Sequence, residues 1–114
     1  MHEYHIVEAV VKQAVLAAES NNAAKITRIA LVMGELSGLE EGSIRLYFED
    51  LTKGTLAENA ELVVSSERAR LKCEKCDKTF EYEKSKFNCP LCGEQAIATE
   101  KGKGLYIRDI EIQE

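Results

Sequence analysis

Four cysteines constrain this chain more than any other feature. Cys73 and Cys76 form one Cys-x2-Cys pair, Cys89 and Cys92 a second, and twelve residues lie between the pairs. Two tight turns of this spacing can aim four sulfurs at one point, the tetrahedral all-thiolate set that suits a structural Zn(II) at about 2.3 Å per bond. A closed set of four ligands leaves no open position for a reacting molecule, so the pattern points to architecture and no enzyme is expected. Disulfides are the competing use of four cysteines. The opening residues Met1-His2-Glu3-Tyr4-His5 show neither a basic region nor a following apolar stretch, so no signal peptide is expected. The expected location is then the cytoplasm, where thiols stay reduced and paired cysteines serve metals. The longest apolar runs, Ala14–Ala18 and Ile29–Met33, are far shorter than the roughly 20 residues of a spanning helix, and no membrane association is expected.

Charge divides the chain where the cysteines do. The whole has 114 residues and a formal net charge of −5. Residues 70–104 hold eight Lys/Arg and six Asp/Glu, a formal +2, which leaves −7 on the remainder. An acidic body therefore carries a near-neutral module, and a Zn(II) with four thiolates would bring that module to zero.

Hydrophobic spacing gives the body its elements. Ile6, Val7, Val10, Val11, Ala14, Val15 and Ala18 recur at three- and four-residue intervals and predict an amphipathic helix that begins almost at the first residue and ends near Asn21-Asn22. Ile26–Met33 is aliphatic and β-branched and stops at Gly34, as a strand buried on both faces does. Ser37-Gly38-Leu39-Glu40 has capping-box spacing, and the stripe Ile44, Tyr47, Phe48, Leu51 predicts a second helix from about Glu41 to Lys53. Glu61–Ser66 and Ala69–Lys72 read as one long strand leading into the module. Leu105–Ile112 reads as a last strand whose apolar phase changes between Ile107 and Ile110. The expected fold is α+β: two helices on a three-stranded sheet, residues 1–69 plus 105–114, with an inserted zinc-ribbon module at residues 70–104.

Within the module, Cys89-Pro90-Leu91-Cys92-Gly93 places glycine directly after its last ligand, where a positive φ turns backbone N–H groups toward the sulfurs. The stretch Thr79–Tyr82 alternates as a short strand and is expected to lay one aromatic over the site. Two other uses of such a module compete with structural zinc. Iron in the same set would make a rubredoxin-like redox carrier, but Cys76-Asp77 lacks the glycine of that pattern. A nucleic-acid or transcription module is the other, but the charge balance makes the phosphate term unfavourable, and no nucleic-acid partner is expected.

The amino terminus is the second place where metal chemistry is legible. The terminal amine of Met1, the amide nitrogen of His2 and its imidazole fall in consecutive chelate rings, and with the Glu3 amide or another donor they make the planar nitrogen-rich site preferred by Ni(II) or Cu(II). The competing reading leaves His2 as an exposed terminal residue. His5 is one residue off the apolar stripe and reads as solvated, Glu40 as the helix cap, and Glu35 and Glu41 as surface charges. His5 and Glu40 are retained as accessory donors to a metal at the N-terminus.

Met1-His2-Glu3, an opening amphipathic helix, Gly34-Glu35 after the first strand, and Cys-x2-Cys-x12-Cys-Pro-x-Cys-Gly together resemble the HypA/HybF family of hydrogenase nickel-incorporation proteins over the whole chain. The resemblance implies a metallochaperone with Ni(II), its cargo, on His2 and backbone nitrogens of Met1, His2 and Glu3, and structural Zn(II) on Cys73, Cys76, Cys89 and Cys92. It further implies delivery to the large subunit of [NiFe]-hydrogenase with the GTPase HypB, and in some organisms service to urease and its maturation proteins. Glu40 falls where the family can place an acidic residue near nickel. His5 is not part of the family motif.

Overall fold

The computed structural model describes residues 2–83, 86–99, 102 and 104–114, with His2 described by its backbone. The chain forms two compact units, one of Met1–Val32, Leu39–Ser65 and Leu105–Glu114, the other of Met33–Gly38 and Ser66–Gly104.

The first unit opens with helix α1, His2–Ser20, which buries Val7, Val10, Val11, Ala14 and Ala18 along one face. It stops as the sequence predicts: Asn22 takes a left-handed φ of 58°, and the Ala23 N–H returns to the Ala18 carbonyl. Strand β1, Lys25–Gly34, follows, with Ile29, Ala30, Leu31 and Val32 buried in succession, so both of its faces are covered. Helix α2, Glu41–Leu51, buries Ile44 and Phe48. It ends two residues short of the predicted Lys53: Thr52 is the C-cap, its hydroxyl donating to the Phe48 carbonyl (2.8 Å), and Gly54, with a φ of 78°, turns the chain away.

Strands β2, Glu61–Glu67, and β6, Leu105–Gln113, flank β1 in the order β2-β1-β6. Arg28 reaches Glu61 and the Leu31 carbonyl accepts from Ser65, so β1 and β2 advance together and run parallel, an arrangement that needs the crossover α2 provides. Ala24 donates to the Gln113 carbonyl and the Thr27 hydroxyl to the Glu111 carbonyl, which makes β6 antiparallel to β1. The predicted phase change in β6 is present: Leu105 and Ile107 are half-buried, Arg108 and Asp109 are both exposed, and Ile110 and Ile112 are half-buried again. Helix α1 packs on α2 and β6.

The second unit is built on β3, Arg70–Cys73, with β4, Lys78–Glu81, and β5, Ile97–Ala98, antiparallel on either side. Leu71 sits opposite Phe80 on one side and Ala98 on the other. The predicted continuous strand from Glu61 to Lys72 is in fact two strands in two sheets, and the chain changes partners between them. The Glu67 carbonyl accepts from the Glu35 N–H (2.9 Å), the Ala69 N–H donates to the Glu35 carboxylate (2.9 Å), and the Ala69 carbonyl accepts from Tyr82 (2.9 Å). Glu35 is therefore a staple across the break and not merely a surface charge.

The same segment ties the module's exit to its entry. Gly34 and Leu36 donate to the carbonyls of Gly104 and Gly102, and the Glu67 carboxylate accepts from the Gly102 N–H (3.1 Å). A Cβ on Gly34 would lie 2.2 Å from the Gly102 carbonyl carbon, and one on Gly102 would lie 2.5 Å from the Ala69 Cα, so three backbones touch where only glycine fits at two of the positions.

Candidate metal centres

The two cysteine pairs come from similar knuckles. The Asp77 N–H donates to the Cys73 carbonyl (2.7 Å) and the Gly93 N–H to the Cys89 carbonyl (2.9 Å), each closing a loop over four residues. Gly93 has a φ of 79° and Asp77 a φ of 56°. Asp77 thus takes the left-handed conformation that glycine takes in the second knuckle, which Asp tolerates better than most side chains. The absent glycine, read from the sequence as an argument against an iron site, carries no such weight, because the backbone is shaped without it. Each knuckle aims an N–H at sulfur: Cys76 N–H at Cys73 Sγ and Leu91 N–H at Cys89 Sγ, both 3.4 Å. Asn88 closes the second knuckle from outside by donating to the Gly93 carbonyl (3.0 Å), and the Cys89 N–H donates to the Glu94 carbonyl (2.8 Å).

All four Sγ atoms lie within 4.8 Å of one another. Cys73 and Cys92 are 3.5 Å apart and Cys76 and Cys89 4.0 Å apart, with no disulfide formed. A tetrahedron with metal–sulfur bonds of about 2.3 Å has edges of about 3.8 Å, so the donor set fits one tetrahedral thiophilic ion. Without an ion the thiols titrate unevenly. The hydrogen bond with the Cys92 thiol, with burial and the other two cysteines, pushes Cys76 up to about 12. The N–H groups of Cys92 and Leu91 draw Cys89 down to about 7 against the opposing effect of burial. Tyr82 of this unit packs against Phe87, at 5.0 Å between ring centroids.

At the other end of the chain, Met1 and the His2 side chain lie outside the described residues, so their part in a nickel site is not seen. Glu3 and Tyr4 are described, and both reach α2. The Glu3 carboxylate accepts the Glu40 N–H (3.0 Å), and the Tyr4 ring meets Tyr47 edge-on at 5.6 Å and 85°. The predicted capping box is therefore overturned. The N-cap is Glu40 in extended conformation with no capping bond from its own side chain, and Ser37 lies outside the helix in a turn donating to the Gly34 carbonyl. The cap is supplied by Glu3, a carboxylate at the positive end of the α2 dipole. Glu40 and Glu3 are brought together, but through the Glu40 backbone. His5 is exposed as expected, 3.7 Å from Glu8 and edge-on to Tyr4. Glu41 pairs with Arg45 (2.9 Å), which also donates to the Leu62 carbonyl. Sequence reasoning missed Tyr47 and the carboxylate of Glu3 as contacts to the N-terminal turn. The stripe placed Tyr47 on the packed face of α2, but nothing local signals its partner.

An α+β body with a four-cysteine ribbon defines a small metal-binding protein. The sequence profile described as "Hydrogenase/urease nickel incorporation, metallochaperone, hypA" matches residues 1–112, and the chain belongs to that family. It is 41% identical to the hydrogenase maturation factor HypA of Caldanaerobacter subterraneus subsp. tengcongensis, over 99% of this chain and all of that one. It is 37% identical to the HypA of Chlorobaculum tepidum, again over 99% of this chain and all of the relative. The fold matches the solution structure of the Ni metallochaperone HypA from Helicobacter pylori with a TM-score of 0.80 over 97% of each chain, at 24% identity.

Proposed function

We propose that this chain carries Ni(II) on its first residues for maturation of [NiFe]-hydrogenase and holds a structural Zn(II) on Cys73, Cys76, Cys89 and Cys92. Family membership gives the cargo, and the start of α1 at His2 is the observation that supports its place. The first amides of a helix have no intrahelical partner, so the His2 and Glu3 nitrogens can lose their protons to nickel without breaking a helical bond. The Glu3 carboxylate is occupied at Glu40, which leaves the Glu3 backbone nitrogen as its donor. With the Met1 amine and the His2 imidazole these nitrogens make a planar set. Two amidates neutralise Ni(II), so the filled site is not repelled by the positive end of α1. Glu40 and His5 remain accessory candidates.

A carrier must bind and then release, so its site is expected to be incompletely encased and to pass nickel by ligand exchange to acceptor thiolates. The acceptor is the hydrogenase large subunit with HypB as GTPase partner, and urease maturation proteins are a second destination, all in the cytoplasm. Nickel belongs to the body, residues 1–69 and 105–114, and zinc to residues 70–104.

Nickel titration of the untagged protein tests this, compared with His2→Ala and with a form carrying extra residues before Met1. Both variants are expected to lose the planar nickel spectrum and to keep one zinc. The nickel reading fails if both bind like the parent, and the zinc reading fails if the purified protein is red and loaded with iron.

A further inference from the structure

We propose that Tyr47, a residue of α2, is a positioning residue for nickel. It braces Tyr4 and so holds the first turn of α1 in the shape the terminal nitrogens need. This deepens the proposed function and rests on the N-terminal nickel site.

Helix ends fray unless something ties them down. Val7 is the first buried residue of α1 among the described residues, so the turn that would present the nickel donors lies ahead of the helix's own core. Among the described residues, two contacts tie that turn to α2. The Glu3 carboxylate takes the Glu40 N–H at the start of α2, and the Tyr4 ring meets Tyr47 nearly two turns further along. Adjacent residues held at two separated points fix both the height and the roll of a helical turn, where one contact would leave it free to rotate. Tyr47 is itself half-buried, on the apolar stripe of α2 that also carries buried Ile44 and Phe48, so the brace starts from a packed face of the helix.

A planar set of four nitrogens tolerates displacements of about 0.5 Å at most. A loosened first turn would have to be ordered each time nickel binds. The edge-on geometry is that of an aromatic pair, whose attraction lies in the rings and not in the hydroxyl. The phenylalanine variant therefore keeps the brace, and an aliphatic one of similar bulk does not.

The test follows loss of Ni(II) from the loaded, zinc-replete protein to excess EDTA, read from the ligand-field absorption of the planar nickel–amidate centre. Tyr47→Ala and Tyr47→Leu are expected to release nickel about tenfold faster than the parent, while Tyr47→Phe releases it at the parent's rate. Zinc content is expected to be unchanged in all three. Thermal melts separate positioning from stability, since Tyr47→Leu is expected to melt within a few degrees of the parent yet still release nickel faster. In the metal-free protein, amide exchange at residues 3–6 is expected to rise in Tyr47→Leu and not in Tyr47→Phe. Release at the parent's rate from Tyr47→Leu overturns the proposal, as does equal acceleration in Tyr47→Phe. If the parent itself lacks the planar spectrum, the nickel site is refuted and the brace with it. If the parent shows that spectrum and Tyr47→Leu releases nickel at the parent's rate, the site stands and the brace is wrong.

Discussion

Asp77 and Cys89 show how much of the metal site is decided by single backbone positions. A φ of 56° at Asp77 sets the first knuckle, and a side chain branched at Cβ resists that conformation by about 1–2 kcal/mol. Asp77→Val is therefore expected to surrender zinc to a chelator faster than the parent, while Asp77→Gly holds it as well or better. The Lys72–Asp77 ion pair at 3.2 Å is exposed and contributes little, so its loss in Asp77→Gly does not offset the gain in conformational freedom. At Cys89 the N–H groups of Cys92 and Leu91 favour the thiolate. In the metal-free ribbon that preference stabilises the fold above the ordinary thiol value of 9.0 and is lost as pH falls through about 7. Cys76 behaves oppositely: its neutral thiol is favoured, an advantage present below 9.0 and lost as pH rises toward about 12.

At the scale of elements, the segment Gly34–Leu36 does more than end a strand. It receives or donates at Glu67, Ala69, Gly102 and Gly104, so it gathers both ends of the ribbon at one place. The missing Cβ atoms at Gly34 and Gly102 permit that approach, and Gly34→Ala would drive a methyl into backbone that has no side chain to move aside. Gly34→Ala and Gly102→Ala are each expected to cost about 3 kcal/mol or more, seen as a fall in Tm of roughly 10 °C. The same region shows what sequence could and could not convey. Periodicity in Val7–Ala18 and in Ile44–Leu51 carried both helices, because a helix records its buried face in its own spacing. Cysteine spacing carried the ribbon, because the ligands are close along the chain. The break between β2 and β3 was illegible, since it is made by Glu35, more than thirty positions away, and not by any glycine or proline within the strand. The true cap of α2 was hidden for the same reason: Glu3 is 37 positions from Glu40, and a nearby Ser-x-x-Glu offered a plausible local substitute. The two-residue β5 is too short for any pattern.

At the scale of the molecule, the two units rest on different kinds of core. The first buries Val7, Val10, Ile29, Leu31, Ile44 and Phe48, aliphatic and aromatic side chains drawn from both helices and the central strand. The second buries Ala69, Leu71, Cys73, Cys89 and Ala96, of which Leu71 alone is large and two are metal-site cysteines. At about 25 cal/mol per Å2 of apolar area removed from water, a core of that size cannot offset the ordering of some forty residues, whereas bound zinc contributes about 10 kcal/mol or more in small thiolate modules. Metal removal is therefore expected to act on one unit. When zinc is withdrawn at neutral pH under reducing conditions, the amide resonances of residues 70–99 are expected to collapse toward random-coil positions and lose exchange protection. Those of α1, α2 and residues 26–32 are expected to stay dispersed, and the helical circular dichroism is expected to hold nearly unchanged. Returning one equivalent of Zn(II) is expected to restore the ribbon spectrum. Loss of both sets of resonances in one transition would mean that the body depends on the zinc as much as the ribbon does, and its aliphatic core would then have to be judged insufficient to stand alone.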